Sequence, residues 1–254
     1  MRFVVCVKRV PMTGGRIVLT EDAQAIDTRH LGFTISPHEE CGVEEAVRLV
    51  EANGGEGVVL TLGPPEAEEQ LRDALALGLD RALHLVTDGE EWDGGSTAAA
   101  IVEAIRADEA AAGPFDVVFL GNESADAGGF QVGLRVAHAL GRPCVTGVKG
   151  VALTDGALRC EQEVPGGREV FVVPLPAVVT VKEGLNLPRY PSVPGRMRAK
   201  QKPVAATRPA RGEQRLRLVR LVVPEDQGKE AELLGRGPEA APRVVEVLRR
   251  LGVA

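Results

Sequence analysis

Aromatic side chains are scarce in this chain, which has one Trp, one Tyr and six Phe among 254 residues. Base-stacking surfaces set several aromatics beside their basic groups. The most basic stretch, Lys182 to Arg220, carries eleven Lys or Arg against two Glu but only Tyr190 as an aromatic. Nucleic acid is therefore not the expected partner, and in a chain of net charge −6 the stretch reads as a solvated face or as a surface that steers acidic proteins. Cysteine and histidine are sparse and scattered. Cys6, Cys41, Cys144 and Cys160 show no C-x-x-C spacing, and His30, His38, His84 and His138 are equally dispersed, so a disulfide frame, a zinc site and an iron–sulfur site are not expected. No run approaches the roughly 20 apolar residues that span a bilayer. MRFVVCVKRV is too short and too polar at its end for a signal peptide, so a cytoplasmic chain without membrane insertion is expected. No Ser-His-Asp, Cys-His or paired-carboxylate set stands out, and no catalytic residue or metal ligand is assigned.

What is present is alternation. Apolar runs at Arg2 to Val7, Gly57 to Leu62, Ala82 to Val86, Asp116 to Leu120 and Pro176 to Val181 read as strands. Between them lie helix-period segments at Pro37 to Asn53, Glu66 to Leu77, near Ser96 to Arg106 and near Phe130 to Leu140. Continuously apolar strands alternating with helices predict an α/β fold, a doubly wound and mostly parallel sheet with helices on both faces. From Gly147 to Val173 polar and apolar residues alternate around Asp155-Gly156 and Gly166-Gly167, which predicts an antiparallel meander at a sheet edge. Pro203 to Arg215 reads as a linker, Leu216 to Val223 as one more strand, and Ala240 to Leu251 as a terminal helix.

In such a sheet ligands bind beyond the carboxyl ends of the strands, where loops lead into helix N-termini. The richest candidate is GNESADAGGFQVG, Gly121 to Gly133, in which Gly128-Gly129 lets backbone approach a phosphate closely. A Gly-Gly before a helix is also an ordinary turn, so the loop alone leaves both readings open. There is no P-loop and no G-x-G-x-x-G after the first strand. Ser36 with Glu39 three residues on has the form of a capping box.

The stretch from Leu175 to Pro203, LPAVVTVKEGLNLPRYPSVPGRMRAKQKP, breaks from a buried strand into a segment holding Pro188, Pro191, Pro194 and Gly195. Those residues suit neither a helix interior nor a central strand, so a long exposed loop is predicted at 182–203. The order PAVVTV, Asn186, Pro188-Arg189-Tyr190, then Met197-Arg198-Ala199-Lys200, resembles the small (beta) subunit of electron transfer flavoproteins. KRV at Lys8 to Val10, VEEAVRL at Val43 to Leu49 and LRDALALGLDRALHL at Leu71 to Leu85 resemble the same family, and the likeness covers residues 1 to about 204.

The resemblance implies a Rossmann-like domain of the adenine-nucleotide-binding type over 1–204, and a C-terminal arm over 205–254 that wraps the large (alpha) subunit. It implies AMP, bound without turnover, at Cys6, at Ser36, Pro37, His38 and Glu39, at Leu62, and along Gly121, Asn122, Glu123, Ser124, Ala125, Asp126, Ala127, Gly128, Gly129, Phe130, Gln131 and Val132. Gly121, Asp126, Gln131 and Gly133 match the family loop, whereas Asn122-Glu123-Ser124 and Ala127 to Phe130 depart from it. It further implies a wall for the FAD held mainly by the large subunit, with Glu163 facing that subunit, although a solvated strand charge would explain Glu163 equally. The loop bearing Asn186, Pro188, Arg189, Tyr190, Val193, Arg196, Met197, Arg198 and Lys200 would recognise acyl-CoA and related dehydrogenases. Val193 stands where the family has a Leu anchor, one methylene less. Electrons would pass on to a membrane-bound quinone oxidoreductase. The alternatives are an electron-bifurcating subunit with a second FAD in the adenylate site, a free-standing adenine-nucleotide enzyme, and a nucleotide-sensing module without redox duty.

Overall fold

The computed structural model describes residues 1–14, 17–224 and 232–253. Within them the chain runs β1 (Arg2–Val7), β2 (Val10–Pro11), β3 (Phe33–Thr34), α1 (Pro37–Asn53), β4 (Glu56–Gly63), α2 (Glu68–Leu77), β5 (Arg81–Val86), α3 (Gly94–Ala112) and β6 (Val117–Gly121). It continues through α4 (Val132–Leu140), β7 (Cys144–Thr154), β8 (Ala157–Val164), β9 (Gly167–Pro174), β10 (Ala177–Val181), α5 (Val193–Ala199), β11 (Val204–Thr207) and α6 (Ala241–Arg250). The main sheet has nine strands in the order β11-β5-β4-β1-β6-β10-β7-β8-β9. Strands β11 through β7 are mutually parallel, and β8 and β9 add the antiparallel meander at the edge.

Strand pleating explains why both faces must be covered. Phe3, Val5 and Val7 of β1 pack with Val43, Val47, Leu71 and Leu75 of α1 and α2, while Val4 and Cys6 pack with Ile101, Ile105 and Val136 of α3 and α4. The sheet is therefore doubly wound, with one apolar layer on each side. At the amino edge, Arg2 and Arg81 share Glu56 and Asp108 at 2.6–2.9 Å, which ties β1, β4, β5 and α3 together at the end opposite the loops of interest.

Three sequence expectations change here. The segment 182–203 is a loop only as far as Ser192. Val193–Ala199 form a short helix, because Pro194 sits in its first turn, where proline needs no N–H partner, and the Ser192 side chain accepts from Gly195 N at 3.1 Å. The expected linker begins with a strand, β11, paired in parallel with β5. Leu216 to Val223 forms no strand. Leu216, Leu218, Val219, Val222 and Val223 are exposed, and among the described residues the segment pairs with no strand. Residues 225–231 of the expected arm lie outside the described residues.

Phe119 is fully buried in the middle of the α1/α2 layer. Phe119→Ala is expected to cost about 3–5 kcal/mol, read as a lower denaturant midpoint with an unchanged slope.

Candidate nucleotide rim and partner finger

β1 lies between β4 and β6, and the chain winds outward from it in opposite directions, through β4 and β5 on one side and β6 and β10 on the other. Loops leaving β1 and β6 must diverge, which opens a crevice at their carboxyl ends. The first helix closes one wall of it. Glu39, fully within the protein, accepts from Lys8 N at 3.1 Å and from Ser36 N at 3.2 Å through one oxygen, Oε2, and so joins the end of β1 to the start of α1. Ser36 and Glu39 form the expected capping box at the start of α1, with Ser36 Oγ buried. Gly121, last residue of β6, has no room for a side chain, since a Cβ there would lie 2.9 Å from Glu39 Cγ. His38 reaches over the same edge, its Nε2 3.5 Å from Glu123 and its Nδ1 accepting from Glu183 N at 2.8 Å.

The glycine-rich loop is shaped by its own backbone. Gly128 N donates to Ser124 O at 3.0 Å, Ala127 N to Asp126 Oδ1 at 2.7 Å, and both Gly128 and Phe130 adopt left-handed φ, 54° and 53°. For Phe130 that conformation is unusual. A Cβ on Gly129 would touch nothing, so backbone faces open space there. Helix α4 starts at Val132 behind Gln131, whose side chain does not cap it and instead accepts from Arg135 Nη2 at 3.0 Å. Its first amides are thus without a side-chain acceptor. Gly133 lets the helix press on β10, because a Cβ would lie 2.3 Å from Thr180 Cγ2. Thr180 Oγ1 in turn donates to Asn122 Oδ1 at 2.9 Å and fixes that side chain.

Cys6, Ser36 to Glu39, Leu62 and Gly121 to Val132 therefore gather at one end of the sheet. Three further residues belong with them. Lys8 Nζ lies 2.8 Å from Asp126 and 2.7 Å from Glu91. Burial pushes Asp126 up, but the Lys8 charge and hydrogen bonds outweigh it and hold the carboxyl below its usual range. Thr180 and Arg135 complete the set. A polar residue inside the apolar run AVVTV was the available signal for Thr180, and an arginine in the first turn behind a Gly-rich loop was the signal for Arg135. Lys8 pairs with residues 83 or more positions away, which no local pattern reveals. Beside the start of α4 a cavity of about 530 Å³ is lined by Gln131 and Arg135, by Asp93 and Ser96 of the α3 start, and by Arg215 and Leu216 of the arm.

The finger, 182–203, spans the outer ends of α1 and α2. Tyr190, Val193 and Met197 are exposed, at 95, 74 and 66%, and Arg198 and Lys200 are exposed as well. Asn186 turns back onto α1. Arg189 and Arg196, both exposed, reach carboxylates on the helices beneath, Arg189 on Glu44 and Glu51 of α1 and Arg196 on Asp73 of α2 at 3.0 Å. Glu163, half-exposed on β8, receives Lys149 Nζ at 2.7 Å.

The sequence model of the electron transfer flavoprotein domain matches residues 25–211. The electron transfer flavoprotein subunit beta of Bacillus subtilis is 32% identical over 98% of both chains. That of Syntrophomonas wolfei is 36% identical over 88% of this chain and 86% of its own, and the mitochondrial protein of the same name from Arabidopsis thaliana is 35% identical over 80% of each. The chain belongs to the electron transfer flavoprotein beta-subunit family. Its members are electron carrier subunits of flavoproteins, and among the described residues no helix is long and apolar enough to cross a membrane and no metal-binding cluster occurs. The beta-subunit likeness with Bacillus subtilis runs through the arm as well as the sheet.

Burial of Glu39 pushes its carboxyl up from 4.5 to about 8. The folded state then holds a proton that the unfolded chain has released, so the contribution of Glu39 to stability is full below about 4.5 and is lost as pH rises through 8. Glu39→Gln keeps an oxygen for Lys8 N and Ser36 N and cannot ionise. It is expected to flatten this decline, measured as denaturant midpoints between pH 5 and 8; an equal decline in the variant would contradict the assignment.

Proposed function

We propose that this chain is the small subunit of a heterodimeric electron carrier that takes electrons from acyl-CoA and related dehydrogenases and passes them to a membrane-bound quinone oxidoreductase. In this reading it binds AMP at the sheet rim, supplies one wall for the FAD of the large subunit, and docks dehydrogenases through the finger. The observation that carries it is the pairing of a glycine-lined rim at the switch point, beside the start of α4, with an apolar-tipped finger on the neighbouring helices.

The rim fits an adenylate held by backbone more than by charge. The α4 amides and the open backbone at Gly128-Gly129 suit a phosphate, Arg135 stands in the same first turn, and the buried cap residue Ser36 lies in the wall. Lys8 is taken up by Asp126 and Glu91, so it stiffens the rim instead of pairing with phosphate. Cys6 and Leu62 give the base an apolar border. Bound FAD would supply one- and two-electron chemistry, and this chain's contribution is to shape the wall, exclude water and present Glu163 and the meander edge to the large subunit. Exposed Val170, Phe171 and Val172 on edge strand β9, and exposed Val244, Val245 and Leu248 on α6, suit burial against that subunit.

One observation favours a second reading. The cavity of about 530 Å³ between the starts of α3 and α4 and residues 212–216 touches the glycine-rich loop at Gln131, and a second FAD would need such space. Acid extraction of the co-expressed heterodimer is expected to release one FAD and one AMP. Two FAD and no AMP would select the electron-bifurcating reading, and a chain that purifies colourless and alone would reject both.

Val193 tests the docking role. Val193→Ala removes two methyl groups from the exposed tip, a loss of about 1–2 kcal/mol at about 0.8 kcal/mol per carbon if they are buried on docking. The KM of a dehydrogenase for the heterodimer is expected to rise roughly tenfold with flavin content constant, and an unchanged KM would reject the proposal.

A further inference from the structure

Arg189 has a geometry that a partner-facing charge would not need. Glu44 lies on α1 with its side chain 2% exposed, where a carboxylate without a partner is strongly disfavoured. Arg48, one turn on, gives it a single contact at 2.7 Å, and Arg189 supplies the rest. Its backbone N lies 3.1 Å and its Nε 2.9 Å from Glu44 Oε2, and its Nη2 lies 3.0 Å from Oε1. The other edge of the same guanidinium takes Glu51, further along α1, with Nη1 at 2.7 Å and Nη2 at 2.9 Å. One planar fork thus bridges two carboxylates, which a lysine ammonium could not reproduce. Three positions earlier, the Asn186 side-chain amide donates to Cys41 O at 3.0 Å and Glu45 Oε2 at 2.9 Å. Leu187, between the two pins, is 85% exposed, and Tyr190 follows immediately after them. The far end of the finger is held on α2, where Gly195 passes so close to Ala76 O that a Cβ would lie 2.5 Å from it.

We infer that Arg189, together with Asn186, is a positioning residue: it bolts the finger to α1 so that Leu187, Tyr190 and Val193 point outward at a dehydrogenase, and it does not itself contact the partner. This rests on the docking role proposed above. The neutralisation is mutual: burial pushes Glu44 up, but the Arg189 and Arg48 hydrogen bonds outweigh it and hold the carboxyl below its usual range.

Arg189→Lys keeps the charge and loses the fork, and it is examined in the FAD-loaded heterodimer by two measurements. Thermolysin cleavage at the Gly184–Leu185 bond, beside the Asn186 pin, followed by mass spectrometry, is expected to accelerate about tenfold as the loop is released. With an acyl-CoA dehydrogenase as electron donor, KM for the heterodimer is expected to rise about tenfold with kcat within twofold, and the salt dependence to stay as in the wild type because no charge is lost. Glu51→Gln, at an exposed position, should move both readouts the same way but less. Unchanged cleavage in Arg189→Lys would overturn the clamp directly. Faster cleavage with a wild-type KM, while Val193→Ala raises KM, would overturn the positioning role and leave docking standing. If neither variant moves KM, the docking role fails and the inference falls with it.

Discussion

Three carboxylates on one helix are buried, and the rest of the functional surface follows from what satisfies them. Glu39, Glu44 and Glu45 of α1 are 5, 1 and 8% exposed, because the helix lies flat on β1 with Gly42 close enough to Val5 and Val181 that a Cβ would sit 3.4 Å from each. A buried carboxylate must find donors. Glu39 finds the backbone at the exit of β1 and so seals the crevice wall. Glu44 finds Arg48 on its own helix and Arg189, and Glu45 finds Asn186, which brings a proline-rich segment more than 140 residues distant down onto the same helix. Proposed nucleotide rim and proposed finger therefore share one rigid element.

The second determinant is topological. Placing β1 between β4 and β6 buries it on both faces and both edges and makes the adjacent loops part company at its carboxyl end. Small residues then decide how near the walls come: Gly121 against Glu39, and Gly133 against Thr180. The free face of this assembly is correspondingly apolar along β9, the arm and α6, surfaces that a chain working alone would be expected to cover.

Much of the fold was legible because it is periodic. Continuous apolar runs located β1, β4, β5, β6 and β10 to within a residue or two, and the alternation from Gly147 to Val173 located the edge meander. Where the reading failed, periodicity had no purchase. Val204–Thr207 is four residues long and becomes a strand only because β5 offers a free edge, whereas LRLVRLVV has the composition of a strand and finds none. Pro194 and Gly195 argued against a helix interior, yet they occupy a first turn, where the objection does not apply.

The candidate site divides in the same way. Its loops, its glycines and its family were set by local order in the chain, since backbone conformation and helix starts depend on neighbours a few residues apart. Which charges face a partner and which are spent inside could be settled only by folding. Arg189 reads as a surface cation in the one-dimensional string and as the counter-ion of Glu44 in space, and Lys8 reads as a strand terminus until Asp126 and Glu91 close on it. Electrostatic pairing acts over a few ångströms regardless of sequence separation, so only the tertiary arrangement assigns those partners.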